Sequence, residues 1–305
     1  MALNSQTAAR TLRKWVVAGL AGLVWAQAGG ESPSGANGDK PGADPVTQRG
    51  LRHTADGQSY AAAAIKAANV LLASVESPYR LYAAWEKTPK LDVSSPIPVY
   101  MVAASPKARS TPAAVPVGCT CIFVNPTSFN AWVAKQTSGA GRLQVDSPQL
   151  LAFMFLHEIG HIAKNSNGME FENGELSGLN VDPSTAKLQE QDADEYAAQI
   201  VRSALSKKKP IEPSLEAGMI SIALTELSWN MQAHRSLDEL GSTAVGTPSV
   251  FFDPNLSHPN LDWRILHCNY LIQGTAEAKA LLDSFEEARA RGANPKPRYS
   301  RDPPG

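Results

Sequence analysis

The sequence predicts an α+β fold that is mainly helical, with a small sheet beside one central helix and a helical C-terminal part. Apolar residues recur at helical spacing in most of the chain from residue 148 to residue 291. Two short apolar runs, 97–105 and 118–125, carry β-branched and aromatic residues between proline-rich loops, which is typical of strands. A hydrophobic fraction of 43% in 305 residues is enough for one full core.

The first 28 residues have the pattern of a secretory signal peptide. Three basic residues between positions 10 and 14 precede an apolar run at 15–25, and an A-x-A sequence follows at 26–28. An N-terminal anchor helix is the alternative, although the apolar run is short for a membrane span. We therefore expect an exported protein, periplasmic or secreted, with no membrane span once residues 1–28 are removed.

Residues 29–57 are rich in Gly, Ser, Pro, Asn and Asp, which predicts a flexible leader. A pro-segment covering a cleft is the alternative, but this stretch contains no cysteine that could bind a metal. The tail at 293–305 is predicted to be disordered. The remaining chain, 58–292, is predicted to form one domain.

Helical spacing and an Ala-rich face predict helix over 59–87, broken in two by Pro78. The two predicted strands follow. Ser147 as N-cap and Pro148 at the first helical position then predict a helix from 148 to about 165.

The sequence Asp182-Pro183 repeats this start signal, so a helix is predicted from 183 to about 207, ending before Pro210. Patterns of the same kind predict the remaining helices at 213–236, 262–272 and 275–291.

The composition excludes two broad function classes. The formal net charge is −1 and charged residues make up 19%, so no basic excess indicates a nucleic-acid partner. The chain has no uninterrupted apolar stretch of the length that a membrane-spanning helix needs.

Three cysteines are present: Cys119, Cys121 and Cys268. A disulfide is permitted in an exported protein. We expect Cys119 and Cys121 to lie on one face of one strand, where a bond between them would be strained. Cys268 is therefore expected to pair with one of them, and three reduced core cysteines are the alternative.

The central helix carries two histidines four residues apart, His157 and His161, which lie on one helix face and can point at one ion. Glu158 is placed beside them to take a proton from a metal-activated water, as in the HExxH motif of zinc hydrolases. The alternative is a hydrogen-bonded pair of core histidines. It explains poorly why polar groups, which cost several kcal/mol to bury unpaired, are surrounded by Phe153, Phe155, Leu156, Ile159 and Ile162.

One Zn²⁺ ion held this way needs a third protein ligand. No histidine follows His161 within a few residues, which excludes the metzincin extension. Glu190 lies on the next helix, and Asp194 follows one turn later on the same face, where it could accept a hydrogen bond from a ligating imidazole. A solvated acidic helix face is the alternative, since Asp192 and Glu195 are neighbours.

At this point the chain resembles the gluzincin peptidases, most of all the HtpX-like and CAAX-prenyl-endopeptidase branch. HExxH, a later helix with Glu-x-x-x-Asp, and a downstream His258-Pro259 followed by Arg264 stand in the order of that family. The resemblance covers roughly residues 118–272. No membrane span follows the signal, so the likeness is to soluble exported members.

The resemblance implies a zincin-like fold for a metallopeptidase domain at 58–292. It implies His157, His161 and Glu190 as zinc ligands, and Glu158 as general base. It further implies a supporting hydrogen bond from Asp194, oxyanion stabilisation by His258 and ordering of the active site by Arg264. The stretch 166–181 departs from the family pattern and could shape the cleft.

The predicted function is zinc-dependent hydrolysis of peptide bonds in proteins or peptides outside the cytoplasm. The expected partner is a protein or peptide substrate and not nucleic acid; the oligomeric state is left open. Such a substrate would lie along an exposed strand edge, for which residues 121–125 are the candidate. The alternatives are a catalytically silent zincin-fold binding or chaperone module of the cell envelope, and an amidase acting on cell-wall peptides.

Overall fold

The structure is a computed structural model, and it describes residues 44–86, 93–103, 112–137, 148–166, 169–172, 175–179, 182–205, 210–234 and 261–293. The helices in these ranges are α1 Pro45–Gln48, α2 Gln58–Ser74, α3 Pro126–Thr137, α4 Pro148–Ala163, α5 Pro183–Ala204, α6 Ile211–His234, α7 Leu261–Gln273 and α8 Ala276–Ala293. The strands are β1 Tyr79–Ala83, β2 Ser95–Met101, β3 Ala113–Ala114, β4 Ile122–Val124, β5 Met169–Glu172 and β6 Glu175–Leu179.

Four of the strands form one mixed sheet in the order β1-β2-β4-β3. Strands β1, β2 and β4 run parallel, with Leu81 opposite Ile97 and Val99 opposite Ile122. Strand β3 pairs antiparallel with β4. The described chain is thus mainly helical with a small mixed sheet, which confirms the predicted α+β class. Separately, β5 and β6 form an antiparallel hairpin inside the stretch 166–181.

The two faces of the sheet pack against different parts of the chain. Side chains alternate between faces along a strand. Ile97, Val99 and Met101 belong to the main core that helices α2 and α4 share. Tyr100 and Phe123 instead contact a smaller cluster that includes Val46.

The N-terminal segment from residue 44 onward is packed, although the sequence analysis predicted a flexible leader to residue 57. Its apolar side chains cover the second face of the sheet: Val46 is 0% exposed and Leu51 is 8% exposed. Asp44 caps α1, accepting hydrogen bonds from the backbone N–H groups of Val46 and Thr47. Burial of two apolar residues therefore orders a segment whose composition is otherwise polar.

Residues 79–83 form a strand, so the helix predicted there is wrong. Helix α2 ends at Ser74, and Glu76 takes a positive φ of 54° that a helix cannot continue. Beyond this turn, β1 pairs along its length with β2. The Asn69 amide bonds the N–H and the C=O of Leu81, both at 2.8 Å, on the other side of the strand. Pairing with β2 thus determines the conformation of a stretch whose local sequence pattern favours a helix.

The cysteine prediction is also wrong, because the disulfide joins Cys119 to Cys121 and Cys268 is buried and free. Strand β4 begins only at residue 122. The backbone N–H of Cys119 bonds the carbonyl of Pro116, and Gly118 has a φ of 73°. Cys119 therefore lies in a turn, and the two Cα atoms come within 5.2 Å, inside the range that disulfides span.

Helix starts agree well with the sequence patterns. Helix α4 begins at Pro148 and α5 begins at Pro183, where Asp182 accepts a hydrogen bond from the backbone of Thr185. Helices α6, α7 and α8 lie within two residues of their predicted bounds. Helix α3 was not predicted, although Asn125-Pro126 has the same signal and Asn125 caps that helix by accepting a hydrogen bond from the N–H of Ser128.

Strand β4 is paired on both sides, so its prediction as an exposed edge is wrong. The strand at that end of the sheet is β3, and it contacts helix α4. None of the helices in the ranges described above is long and apolar enough to cross a membrane. The predicted signal peptide and most of the predicted tail lie outside those ranges.

Candidate metal centre

Helix α4 brings His157 and His161 onto one face, one turn apart, and buries both. They are 4% and 8% exposed. Their rings stand nearly perpendicular at 87°, and their Nε2 atoms lie 3.1 Å apart. Two unprotonated Nε2 atoms at this distance would repel each other, so the pair requires a proton or a cation between or beside them.

Helix α5 crosses α4 closely at Gly160, which lies between the two histidines. A Cβ atom on Gly160 would lie 2.8 Å from the Cα atom of Ala193 and 3.0 Å from its carbonyl oxygen. Only glycine therefore permits this approach. Because Ala193 lies between Glu190 and Asp194, the contact brings both carboxylates to the imidazoles.

The carboxylate of Glu190 completes a set of three ligand atoms. Its Oε2 lies 3.4 Å from Nε2 of His157, and its Oε1 lies 3.4 Å from Nε2 of His161. Bonds of about 2.0–2.1 Å in a tetrahedral zinc site place ligand atoms roughly 3.3 Å apart. The separations of 3.1, 3.4 and 3.4 Å match this arrangement, so the buried group can hold a metal ion.

Asp194 sets the orientation of the first imidazole. Its Oδ1 lies 2.8 Å from Nδ1 of His157, and the residue is buried, with 3% of its surface exposed. An ionised carboxylate only accepts hydrogen bonds, so Nδ1 of His157 carries the proton and Nε2 keeps its lone pair for a metal.

Arg264 of helix α7 connects the two carboxylates. It donates from Nε to Oδ2 of Asp194 at 2.8 Å and from Nη2 to Oδ1 at 2.9 Å. Its Nη1 lies 2.9 Å from Oε2 of Glu190. This fork-shaped pairing holds α7 against α5 beside the imidazoles.

With both imidazoles neutral, as metal ligands must be, the charges of the cluster are balanced only by a further cation. With Glu158, Glu190 and Asp194 ionised and Arg264 protonated, the cluster carries a net charge of −2. A divalent cation would neutralise it. Without an ion, the raised pKa values of His157 and Glu158 allow protons on these two groups to offset the same charge, so a bound metal would take the place of protons.

The pKa values follow from the same contacts. Burial would lower the pKa of His157, but hydrogen bonds to Asp194 and Glu190 outweigh burial and raise that pKa to about 10. Burial would raise the pKa of Asp194, but Arg264 and His157 together outweigh burial and lower that pKa to about 2. Burial would also raise the pKa of Glu190, but Arg264 together with His157 and His161 outweighs burial and holds that pKa well below its usual range.

Glu158 differs from the other two carboxylates. It is 5% exposed, and burial raises its pKa above the usual range. In the described part of the chain, no hydrogen bond or ion pair to another residue holds its carboxylate. A carboxyl with a raised pKa beside the metal ligands is suited to exchange a proton.

The structure brings together six of the seven site residues that the sequence predicts: His157, Glu158, His161, Glu190, Asp194 and Arg264. His258 lies outside the described residues. Gly160 and Ala193 were not predicted as site residues, although the sequence has a small residue inside HExxH and another directly before Asp194. Ser166 was not predicted either. Of the other histidines, His267 stacks on Trp263 with ring centroids 4.6 Å apart, and Nε2 of His53 lies 2.8 Å from the carboxylate of Asp44.

No protein-family model, curated protein or solved structure matches this chain.

We predict that Gly160→Ala lowers the free energy of unfolding by about 1–3 kcal/mol, because the added methyl forces the two helices apart. It should also weaken metal binding, since Glu190 moves with α5. Urea unfolding and chelator competition measure the two effects. The matched control is Gly218→Ala on α6, where an added Cβ meets nothing within 4 Å. There we expect stabilisation of about 0.4–1 kcal/mol. Equal behaviour of the two variants would contradict the close approach.

Proposed function

We propose that the chain is an exported zinc-dependent peptidase of the gluzincin type. The observation that carries the proposal is the convergence of two imidazole nitrogens and one carboxylate on a single point, with Glu158 buried beside them. The histidine spacing on α4, the Glu190 and Asp194 spacing on α5, and Arg264 on α7 support the resemblance stated from the sequence.

Zinc is the proposed metal because of the ligand chemistry. Two imidazoles and one carboxylate are one of the ligand sets found in hydrolytic zinc sites, and three protein ligands leave a fourth position for water or substrate. Oxygen-only sets, which Mg²⁺ and Ca²⁺ prefer, do not fit a centre with two imidazoles.

Each side chain of the site has a separate role in the proposed reaction. When bound, zinc would supply Lewis-acid activation of a water molecule and of the scissile carbonyl. Glu158 takes a proton from the attacking water at a carboxylate oxygen and delivers it to the leaving amine. Asp194 keeps the His157 imidazole in the required tautomer, and Arg264 keeps Asp194 and Glu190 in place.

The substrate is proposed to be a protein or peptide in extended form. Strand β3 ends the sheet next to α4 and is the candidate strand for main-chain hydrogen bonds to it, in place of β4. His258, which the resemblance assigns to oxyanion stabilisation, remains part of the proposal.

The proposal is tested with purified chain lacking residues 1–28, incubated with an unfolded protein and, separately, with cross-linked cell-wall peptides. We expect cleavage of the protein, loss of cleavage after treatment with 1,10-phenanthroline, and recovery when one equivalent of zinc is restored. Zinc binding without any cleavage would favour the binding module. Release from wall peptides alone would favour the amidase. A chain that takes up no zinc would overturn the metal centre itself.

A further inference from the structure

The C-terminal end of helix α4 closes in a Schellman motif that begins at a metal-site histidine. The backbone N–H of Ser166 bonds the carbonyl of His161 at 3.0 Å, and the N–H of Asn165 bonds the carbonyl of Ile162 at 3.1 Å. Asn165 takes the left-handed conformation with a φ of 49°. These are the two hydrogen bonds and the one αL residue that define the motif.

In this motif the first and last residues, here His161 and Ser166, place their side chains side by side. The contact between these positions is commonly hydrophobic. Here it is polar instead: Oγ of Ser166 lies 3.0 Å from Nδ1 of His161. The turn that ends the helix therefore also directs a hydroxyl at the imidazole.

A metal ion on Nε2 of His161 would assign the hydrogen atoms of this contact, because the neutral imidazole then keeps its one proton on Nδ1. The Ser166 hydroxyl donates its one hydrogen to the backbone carbonyl of His161 at 3.1 Å. Towards the imidazole it can then only accept, so Nδ1 of His161 carries the proton. Nε2 of His161 is left with a free lone pair, directed at Nε2 of His157 and at Glu190.

We propose that Ser166 is a positioning residue for the metal centre, which fixes the tautomer and ring orientation of His161, with Asn165 holding the turn that presents it. It acts on His161 as Asp194 acts on His157. This inference rests on the metal centre proposed above and does not depend on peptidase activity.

The two imidazoles differ in the charge of their supports. Asp194 is ionised and makes His157 the stronger donor, whereas Ser166 is neutral and supplies orientation with little added basicity. Loss of the hydroxyl frees the His161 ring to rotate or to change tautomer, and either change removes one of three ligands from its place.

The test measures zinc affinity by competition with a chromogenic chelator, and the absorption spectrum of the cobalt-substituted chain. Loss of such a supporting hydrogen bond typically weakens metal binding about 10–100-fold, and we expect Ser166→Ala to weaken zinc binding by at least about tenfold. Ser166→Thr keeps the hydroxyl and should stay within about threefold of wild type, with an unchanged cobalt spectrum.

Two further variants separate positioning from general loss of stability. Ser74→Ala removes a hydroxyl that also bonds a carbonyl near a helix C-terminus, that of Leu71 in α2, and should leave zinc affinity unchanged. Asn165→Gly keeps the left-handed turn and should also keep the affinity.

The positioning role is overturned if Ser166→Ala binds zinc as tightly as wild type. It is also overturned if Ser166→Thr loses as much zinc affinity as Ser166→Ala. A wild-type chain that binds no zinc overturns both this inference and the proposed function. A wild-type chain that binds zinc but cleaves nothing contradicts only the peptidase proposal, because every readout here is metal binding.

Discussion

Replacing Glu158 by Gln is expected to lower the proposed peptide-bond hydrolysis by about 10²–10⁴-fold without loss of the proposed zinc ion. The amide keeps the size of the carboxyl but cannot accept a proton from water at neutral pH. Glu158 is not one of the three residues that could hold the ion, so its replacement leaves the candidate metal ligands intact. The measurement is kcat on an unfolded protein substrate together with the zinc content of the dialysed protein.

Glu195→Gln is the matched control. Glu195 lies on α5 next to Asp194 but is exposed, so its variant removes one negative charge near the site without touching the imidazoles. It should keep activity within about twofold, because exposed charges at this distance are screened. Full activity of Glu158→Gln would remove Glu158 as the base. Loss of zinc from Glu158→Gln would instead assign it to holding the metal.

Replacing Arg264 by Met is expected to lower the free energy of unfolding by about 3–5 kcal/mol, because it leaves buried carboxylates without their counter-charge. Asp194 and Glu190 are 3% and 8% exposed, and both bond the guanidinium. Met preserves most of the apolar stem, so the effect of the lost charge dominates. Urea unfolding at neutral pH measures it.

The metal state gives this prediction a second readout. Bound zinc would offset the negative charge of Glu190. Arg264→Met should therefore lower the free energy of unfolding less in zinc-loaded protein than in zinc-free protein. Arg202→Met is the control, since Arg202 is exposed and donates one hydrogen bond to the carbonyl of Leu271. We expect it to cost at most about 1 kcal/mol. If Arg264→Met unfolds no more easily than Arg202→Met, the guanidinium does not support the centre.

Local patterns predicted most of the helices because their determinants are local. A capping side chain followed by proline satisfies the first N–H groups of a helix wherever it occurs, and α4 and α5 begin where Pro148 and Pro183 indicate. The pair His157 and His161 is predictable for the same reason, since helical geometry alone puts residues four apart on one face.

Non-local contacts explain the predictions that failed. Residues 79–83 have a sequence compatible with a helix, but pairing with β2 and the Asn69 amide makes them a strand. Val46 and Leu51 order a polar segment only because the second face of the sheet is available to bury them. The disulfide between Cys119 and Cys121 depends on a turn in a segment whose apolar pattern predicts a strand.

By itself, then, the sequence determined the central helix and the two histidines and one glutamate that it carries. Only the tertiary structure decided that Glu190 and Asp194 reach those histidines, because this depends on the crossing of α4 and α5 at Gly160 and Ala193. It also decided that Arg264 joins them from α7 and that Ser166 turns back onto His161. Spacing along one helix is set by its own geometry, whereas contacts between separate segments depend on how all of their side chains pack together.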